Sequence, residues 1–585
     1  MPDDKMTISI ITTSWYAPEK EIESAAEFFK ESGFDVRVKT RGIDRKNEPE
    51  EFNKYDLPTV FEKIKKQYFE SELSSQPRQH TEEEEERIQK AFEQDYLDYS
   101  DAFVKMKKQD GTSLDVEDER LQTLGEEEFA PLKDYLEDSY QKSQILQEEV
   151  EAASRGEVDV IWPVDGGSGA PEMLRFLPEK LPENPAVIVG MSDVTAVQNA
   201  LIQSTNYTMR GVQEFGSRVF GYDDFTSENK ERFETLYSTI EKARNGESID
   251  NEFKLTANNK NKEPTEPQLV NLSGGTLNVI NRASGSPWQL SQDRNSDTVI
   301  VEMHGQAKGV AESISKKTDG QEPDAFEKIF ADKKNIFVGN VLFDKESKEY
   351  QQFTDRAAEE GINIYEGLPF GHGGPNLPRE AVPLNVPSVL LPGESEGEAT
   401  LLINPSKELL QQKLEEIGYK TNPAKFVETL KTSPEQAGEF IKSEPDVAAL
   451  MIKYSGLEPE DVFQQARVET SVQQQITERI GQGAKEPSNK KVPATPIKFP
   501  DRLAKKKEEP ETAIVKKTQQ ELEAMPSEEK RTLAEISQGL KNRGMESKKE
   551  EEKDDDSVTS KSSHASKYLE EKEQKQKSGF SNTLN

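Results

Sequence analysis

The chain reads as an α/β protein whose folded core is interrupted and extended by polar sequence. Three observations predict this. Thr7–Ile11 is a β-branched run, a helical stretch follows over 21–32, and residues 34–38 alternate as a second strand, giving strand–helix–strand. The runs VDVIW at 158–162 and AVIV at 186–189 read as buried strands, each before a glycine-containing turn and a helical pattern. From 265 to 405, short strands at 298–301, 336–338 and 389–391 sit among dense Gly and Pro, as in a β-rich second domain.

Composition bounds what else the chain can be. Its 585 residues carry 76 Lys+Arg and 111 Asp+Glu, a formal net charge of −35. Hydrophobic residues make up 32% and mean hydropathy is −0.84, against about 45–50% apolar in an ordinary globular domain. The length allows about three or four domains, but part of it is too polar to be packed core. The acidic excess argues against nucleic acid as a partner, because phosphate contacts need clustered Lys and Arg. The absence of Cys excludes disulfides, thiolate zinc sites and a Cys nucleophile. The start, MPDDKMTISIITTSWY, has acids where a signal peptide carries bases, and no window approaches 18 consecutive apolar residues. The expectation is a soluble cytoplasmic protein with no membrane partner.

Charge and pattern divide the chain. Residues 1–45 and 139–215 read as one α/β domain. Between them, 46–138 reads as an acidic helical insertion: residues 81–140 hold 20 Asp/Glu and 7 Lys/Arg. Phe92, Tyr96, Tyr99 and Phe103 recur there at helical spacing, so part of it can be an amphipathic helix. Residues 216–264 read as a linker, 265–405 as the β-rich domain, and 406–480 as a polar helical extension with apolar stripes such as Val447, Leu450, Met451 and Tyr454. Residues 481–585 hold 22 basic and 20 acidic groups with few aromatics, a composition that cannot offset ordering entropy and predicts disorder. Insertion and tail are candidate segments for protein partners. The tail's Glu550–Glu552 and Glu570-Glu571 also resemble acidic export signals of bacterial effectors.

Three loops carry candidate chemistry. In Val187-Ile188-Val189-Gly190-Met191-Ser192-Asp193-Val194 an apolar strand runs into Gly-x-Ser and then a helical stretch. That layout lifts a serine hydroxyl to the sheet edge at a helix N-terminus, whose N–H groups can receive an oxyanion. The competing reading is that Ser192 or Asp193 caps the helix. Val194 stands where an α/β-hydrolase elbow has its second Gly, which argues against that superfamily. The loop Asp165-Gly166-Gly167-Ser168-Gly169 directly follows a strand, and its backbone can approach a ligand closely; a plain turn is the alternative. Its spacing does not fit a dinucleotide-binding fingerprint. His372 sits among glycines in Gly367-Leu368-Pro369-Phe370-Gly371-His372-Gly373-Gly374, a loop suited to presenting a side chain. Of the four histidines it is the leading general base, with His304 in reserve; His80 falls in the acidic stretch and His564 in the tail. Glu302, at a strand end among apolar residues, is either a solvated edge acid or the carboxylate that orients the base.

Taken together and in order, the Gly-Gly-x-Gly-Ala loop, Val-Gly-Met-Ser-Asp-Val-Thr-Ala, Ser273-Gly274-Gly275-Thr276-Leu277, the strand ending in Glu302, and Pro369-Phe370-Gly371-His372-Gly373 resemble the LD-carboxypeptidase (muramoyltetrapeptide carboxypeptidase) family of serine peptidases, which includes the microcin C self-immunity peptidases. The resemblance covers residues 6–45 and about 139–405. It implies a Ser192–Glu302–His372 triad, and an oxyanion hole from the backbone N–H of Asp193 and of Gly166-Gly167. It implies a flavodoxin- or Rossmann-like N-terminal domain, a β-rich C-terminal domain with the site between them, often a homodimer, and no metal or organic cofactor. The implied substrate is a small peptide, cleaved at the amide before a terminal D-amino acid of a peptidoglycan fragment. Two alternatives stand beside it: an amidase for aminoacyl-nucleotide-type substrates, with Trp288 as a stacking residue or as core, and an inactive relative acting as an interaction protein. The chain has Asp165 where the family carries Arg, Thr276 where it carries Asn, and Pro383-Leu384-Asn385 for Pro-Leu-Gly. A missing cation bears on how a carboxylate-bearing substrate is recognised.

Overall fold

The computed structural model describes residues 5–14, 19–40, 60–67, 82–110, 129–164, 166–167, 169–178, 181–182, 186–204, 210–213, 227–258, 264–284, 286, 288–290, 296–304, 307–317, 323–372, 380–395 and 397–481. Contacts divide the chain into Met1–Leu503 and Ala504–Asn585, and every described residue lies in the first unit.

Two sheets organise it. In the first, β1 (Thr7–Ile11), β2 (Asp35–Lys39), β3 (Val160–Pro163), β4 (Val187–Gly190) and β5 (Arg210–Gln213) run parallel in the order β2-β1-β3-β4-β5. The near-continuous apolar runs of β1, β3 and β4 are what a parallel strand covered on both faces requires. β2 is the edge, and it alternates. Its Arg37 and Lys39 pair with Glu149 and Glu148 of the helix Ala130–Ser154 and with Glu157, which places charge along this edge. Phe28 and Phe29 of the helix Glu19–Glu31 pack on one face with Trp162 and Phe233. Leu146 and Val150 of the helix Ala130–Ser154 cover the other, with Val197 and Leu201.

The second sheet is a closed barrel of β6 (Asn251–Ala257), β7 (Gln268–Thr276), β8 (Thr298–Met303), β9 (Asn335–Val341), β10 (Asn363–Glu366), β12 (Pro387–Pro392) and β13 (Glu398–Ile403). β7, β8, β9 and β10 are parallel neighbours, and the ring closes through antiparallel β6, β13 and β12. Phe253, Leu272, Ile300, Phe337, Tyr365 and Leu401 fill its interior. The two-residue β11 (Val382–Pro383) leaves the barrel and pairs antiparallel with β5, tying the sheets together.

The polar stretches also take shape. Within 46–138, the helix Glu82–Asp110 buries Phe92, Tyr99 and Phe103 against Phe129, Leu132 and Tyr135. The helix Ala130–Ser154 runs unbroken through the boundary expected at 138/139. Of the expected linker 216–264, residues 227–245 are helix and 251–257 are barrel strand β6, because the alternation of Phe253, Leu255 and Ala257 supplies a barrel wall. The extension 406–480 is helical: Lys407–Glu416, Pro423–Thr432, Pro434–Ser443, Pro445–Ser455, Pro459–Ala466 and Thr470–Gly481. Four of these open on a proline, which fits the first turn because its missing N–H has no helical partner there. Their apolar faces close over Val389, Leu391 and Leu402 on the outside of the barrel. Among the described residues no helix is long and apolar enough to cross a membrane.

Candidate active site

Buried β4 ends at Gly190 and the helix Val194–Ser204 starts four residues later. A Cβ on Gly190 would lie 2.5 Å from Val194 Cγ1, so only hydrogen lets the helix turn back this tightly over the strand. At the tip, Ser192 has φ 57°, a left-handed conformation that costs a non-glycine residue about 1–2 kcal/mol. Val194 N–H donates to Met191 O at 3.2 Å and Thr195 N–H to Ser192 O at 3.0 Å. The capping alternative is not what the side chains do. The Asp193 carboxylate reaches across to accept from Ala170 N–H at 2.6 Å, leaving the first turn of its own helix.

The glycine-rich loop meets this turn. A Cβ on Gly166 would come within 3.0 Å of Ser192 Cβ and 3.5 Å of its Oγ, so the loop's backbone lies directly against the serine side chain. The N–H groups of Gly166, Gly167 and Asp193 donate to no described residue. Gly169 ends the loop as the N-cap of the short helix Ala170–Met173. Asp165 and Ser168 lie outside the described residues.

Glu302 and His372 come together at the C-terminal end of the parallel barrel strands. Glu302, on β8, is 1% exposed, so it is a buried acid and not a solvated strand edge. Its Oε1 lies 2.7 Å from His372 Nδ1 and accepts from Thr276 Oγ1 at 2.5 Å, while its Oε2 accepts from His372 N–H at 3.2 Å. Burial pushes the Glu302 carboxyl up. The bonds and charge of His372 and the Thr276 hydroxyl outweigh it and hold the group below the usual carboxylate range. A donor Nδ1–H toward the carboxylate leaves Nε2 of the half-exposed imidazole as the acceptor. Gly371 makes the approach feasible. It has φ 102°, and a Cβ there would sit 2.5 Å from Glu302 Cβ. His304 stands beside His372 with ring centroids 5.0 Å apart, and burial lowers its pKa. The carboxylate bond goes to His372, the first choice of the two. His80 and His564 fall outside the described residues, as do the tail's glutamate clusters.

The two halves are joined three residues from Ser192. Thr276 N–H donates to Thr195 Oγ1 at 3.2 Å, and Asn199 brackets Gly274 by accepting its N–H at 2.8 Å and donating to its carbonyl at 3.3 Å. Thr276 therefore touches both the serine's helix and the histidine's carboxylate. No hydrogen bond links Ser192 to His372 among the described residues, and such contacts commonly tighten only when substrate is bound. Thr195 and Asn199 escape the sequence reading because each acts through a neighbour, and Thr276 enters it only as a departure from the family's Asn. The one signal is Thr276's place at the end of Ser-Gly-Gly-Thr. Trp288 is 6% exposed and donates Nε1–H to Leu174 O at 3.1 Å, which makes it core and removes it as a stacking platform.

Residues 104–211 match the family model described as the LD-carboxypeptidase N-terminal domain. Over that span the chain is similar to the LD-carboxypeptidases. The matched span includes Gly166, Gly167, Ser192 and Asp193; Glu302 and His372 lie beyond it. Similar solved structures include the muramoyltetrapeptide carboxypeptidase from Oxalobacter formigenes, 14% identical over 68% of this chain and 99% of that one, TM-score 0.38. The microcin C7 self-immunity protein MccF in its wild-type apo state is 13% identical over 69% of this chain and 96% of that one, TM-score 0.40. An MccF-like protein from Bacillus anthracis str. Ames is 14% identical over 68% and 97%, TM-score 0.37. No curated protein matches the chain.

Proposed function

We propose that the protein is a serine-type carboxypeptidase that hydrolyses the amide before a terminal, D-configured amino acid of a peptidoglycan-derived peptide. The observation that carries this reading is the buried Glu302–His372 pair, linked by Thr276 to the helix that Ser192 opens. In the proposed mechanism His372 Nε2 takes the Ser192 hydroxyl proton as Oγ attacks the scissile carbonyl. Glu302 keeps the imidazole in the required tautomer and balances its charge once protonated. The N–H groups of Asp193, Gly166 and Gly167 receive the oxyanion. Collapse of the tetrahedral intermediate expels the amine, which takes the proton from His372. Water then attacks the acyl-enzyme by the same route and returns the enzyme with a free carboxylate on the shortened peptide.

The parallel order 2-1-3-4-5 supports a flavodoxin-like description of the first domain. Ser192 and the Gly166 loop then lie at carboxyl ends of its strands, where open α/β sheets bind ligands. With Trp288 in the core, the reading with aminoacyl-nucleotide substrates loses its one residue-level support. The test is incubation of the protein with tetrapeptide-containing muropeptides. Loss of the terminal residue by the natural chain but not by Ser192→Ala supports the proposal. Equal cleavage by both removes Ser192 from the mechanism.

A further inference from the structure

The Asp193 side chain has a role the proposed mechanism does not use. It is fully buried, and three segments converge on it. Its Oδ2 accepts from Ala170 N–H at 2.6 Å, the first helical residue after the glycine-rich loop. Its Oδ1 faces Arg282 Nη1 at 3.7 Å, and Ser14, just past β1, lies beside the same carboxylate. Arg282 is fixed in turn: its Nη2 donates to Glu172 Oε1 at 2.8 Å and Oε2 at 3.0 Å, and Glu172 sits on the same short helix as Ala170. Tyr135, buried on the helix Ala130–Ser154, lies beside Glu172 and within the field of Arg282 and Asp193.

The backbones laced together are the two whose N–H groups donate to no described residue, the Ser192-Asp193 turn and the Gly166-Gly167 loop. They come from different crossovers of the sheet, after β4 and after β3, and among the described residues no backbone hydrogen bond joins the two loops. Their spacing therefore depends on side chains. The bond of the Asp193 carboxylate to Ala170 N–H is charge-assisted and short, and Arg282, bonded to the loop's helix, faces the other carboxylate oxygen as an ion pair. Oxyanion stabilisation needs donors preset at the position the charge will occupy.

We infer that Asp193, clamped between Ala170 N–H and Arg282, is a positioning residue that sets the separation of the two halves of the oxyanion hole. This rests on the serine-peptidase reading above. It makes no contact with substrate through its side chain. Arg282 and Glu172 share the task, and the helix Ala130–Ser154 supports them through Tyr135.

The test compares the natural chain with Asp193→Ala, Asp193→Asn and Arg282→Gln, using a tetrapeptide substrate, a peptidyl boronic acid that becomes tetrahedral on Ser192, and the product tripeptide as ground-state ligand. Asp193→Ala should lower kcat by about 10²-fold, the scale of one lost oxyanion donor, with KM nearly unchanged. Its affinity for the boronic acid should fall in proportion while product binding stays within about twofold. Asp193→Asn, whose amide oxygen can still accept from Ala170 N–H, should recover at least tenfold of kcat, and Arg282→Gln should fall between the two. If Asp193→Ala does not fold, Asp193→Asn and Arg282→Gln carry the test by the same ratio of boronic acid to product affinity. Parallel losses of boronic acid and product affinity, or unchanged kcat, would overturn the inference. A natural chain that neither cleaves the substrate nor binds the boronic acid would instead overturn the serine-peptidase reading beneath it.

Discussion

Ser192, Glu302 and His372 owe their arrangement to residues that a motif does not show. The strained φ of Ser192 persists because Gly190 and Gly166 clear space on either side of it. After His372, Thr276 is the residue that most supports the Glu302 carboxylate. Removing its hydroxyl in Thr276→Val deprives a buried carboxylate of a donor, worth about 1.5–3 kcal/mol. The sign with pH follows from the depressed Glu302 pKa: the stabilisation is present above the ordinary carboxylate range and disappears as pH falls through the depressed value. Urea unfolding should therefore show a deficit for Thr276→Val at neutral pH that shrinks in strong acid. An equal deficit at both would contradict an ionised Glu302. The same variant should lower kcat, since His372 loses part of the support of its carboxylate. The sequence exposes Ser192, Glu302 and His372 because each is an unusual residue in its setting: a Gly-flanked serine, an acid closing an apolar strand, one of four histidines. It hides Asp193's carboxylate and Arg282 because their meaning lies in a contact between residues 89 apart, which no local pattern encodes.

At the level of elements, the elbow is a strand and a helix brought to their closest approach where Gly190 meets Val194. Gly190→Ala should cost about 1–3 kcal/mol in urea unfolding, the scale of an overpacked core. Adding Val194→Ala should recover part of that loss, because it removes Cγ1 and Cγ2 while Cβ stays 2.8 Å from the added carbon. Simple addition of the two losses would mean that the close approach does not govern the turn. The strands most plainly written in the sequence are β1, β3, β4, β8, β9 and β12, all apolar runs bounded by turn residues. β6 and β7 are obscured by polar alternation and by Gly274-Gly275, and β11 is too short to leave a pattern. The helix Ala130–Ser154 crosses an expected boundary because it buries residues on both sides of it: Leu132, Tyr135 and Leu136 with the aromatic cluster of Phe92 and Phe103, and Leu146 and Val150 against the first sheet.

Across the whole molecule, the composition that first suggested little core is unevenly spread. The helices of 407–481 form their own apolar cluster, and that cluster is completed by Val389, Leu391 and Leu402 of the barrel. A chain ended at 405 would expose this face. It should aggregate or unfold at lower temperature than the full chain in light-scattering and thermal melts, with the pair Arg479–Asp297 lost as well. Unchanged behaviour would show that the extension is an independent appendage. Barrel closure was not legible in the sequence, since pairings such as β6 with β13 span about 150 residues and depend on chain return rather than on local preference. The most direct test of the central claim is mass spectrometry of a muropeptide mixture incubated with the natural chain and with Ser192→Ala. The account predicts loss of the terminal D-amino acid from tetrapeptide stems with the natural chain, and a fall of about 10⁴-fold or more with the variant. Undiminished cleavage by Ser192→Ala, or no cleavage of any stem peptide by the natural chain, would contradict it.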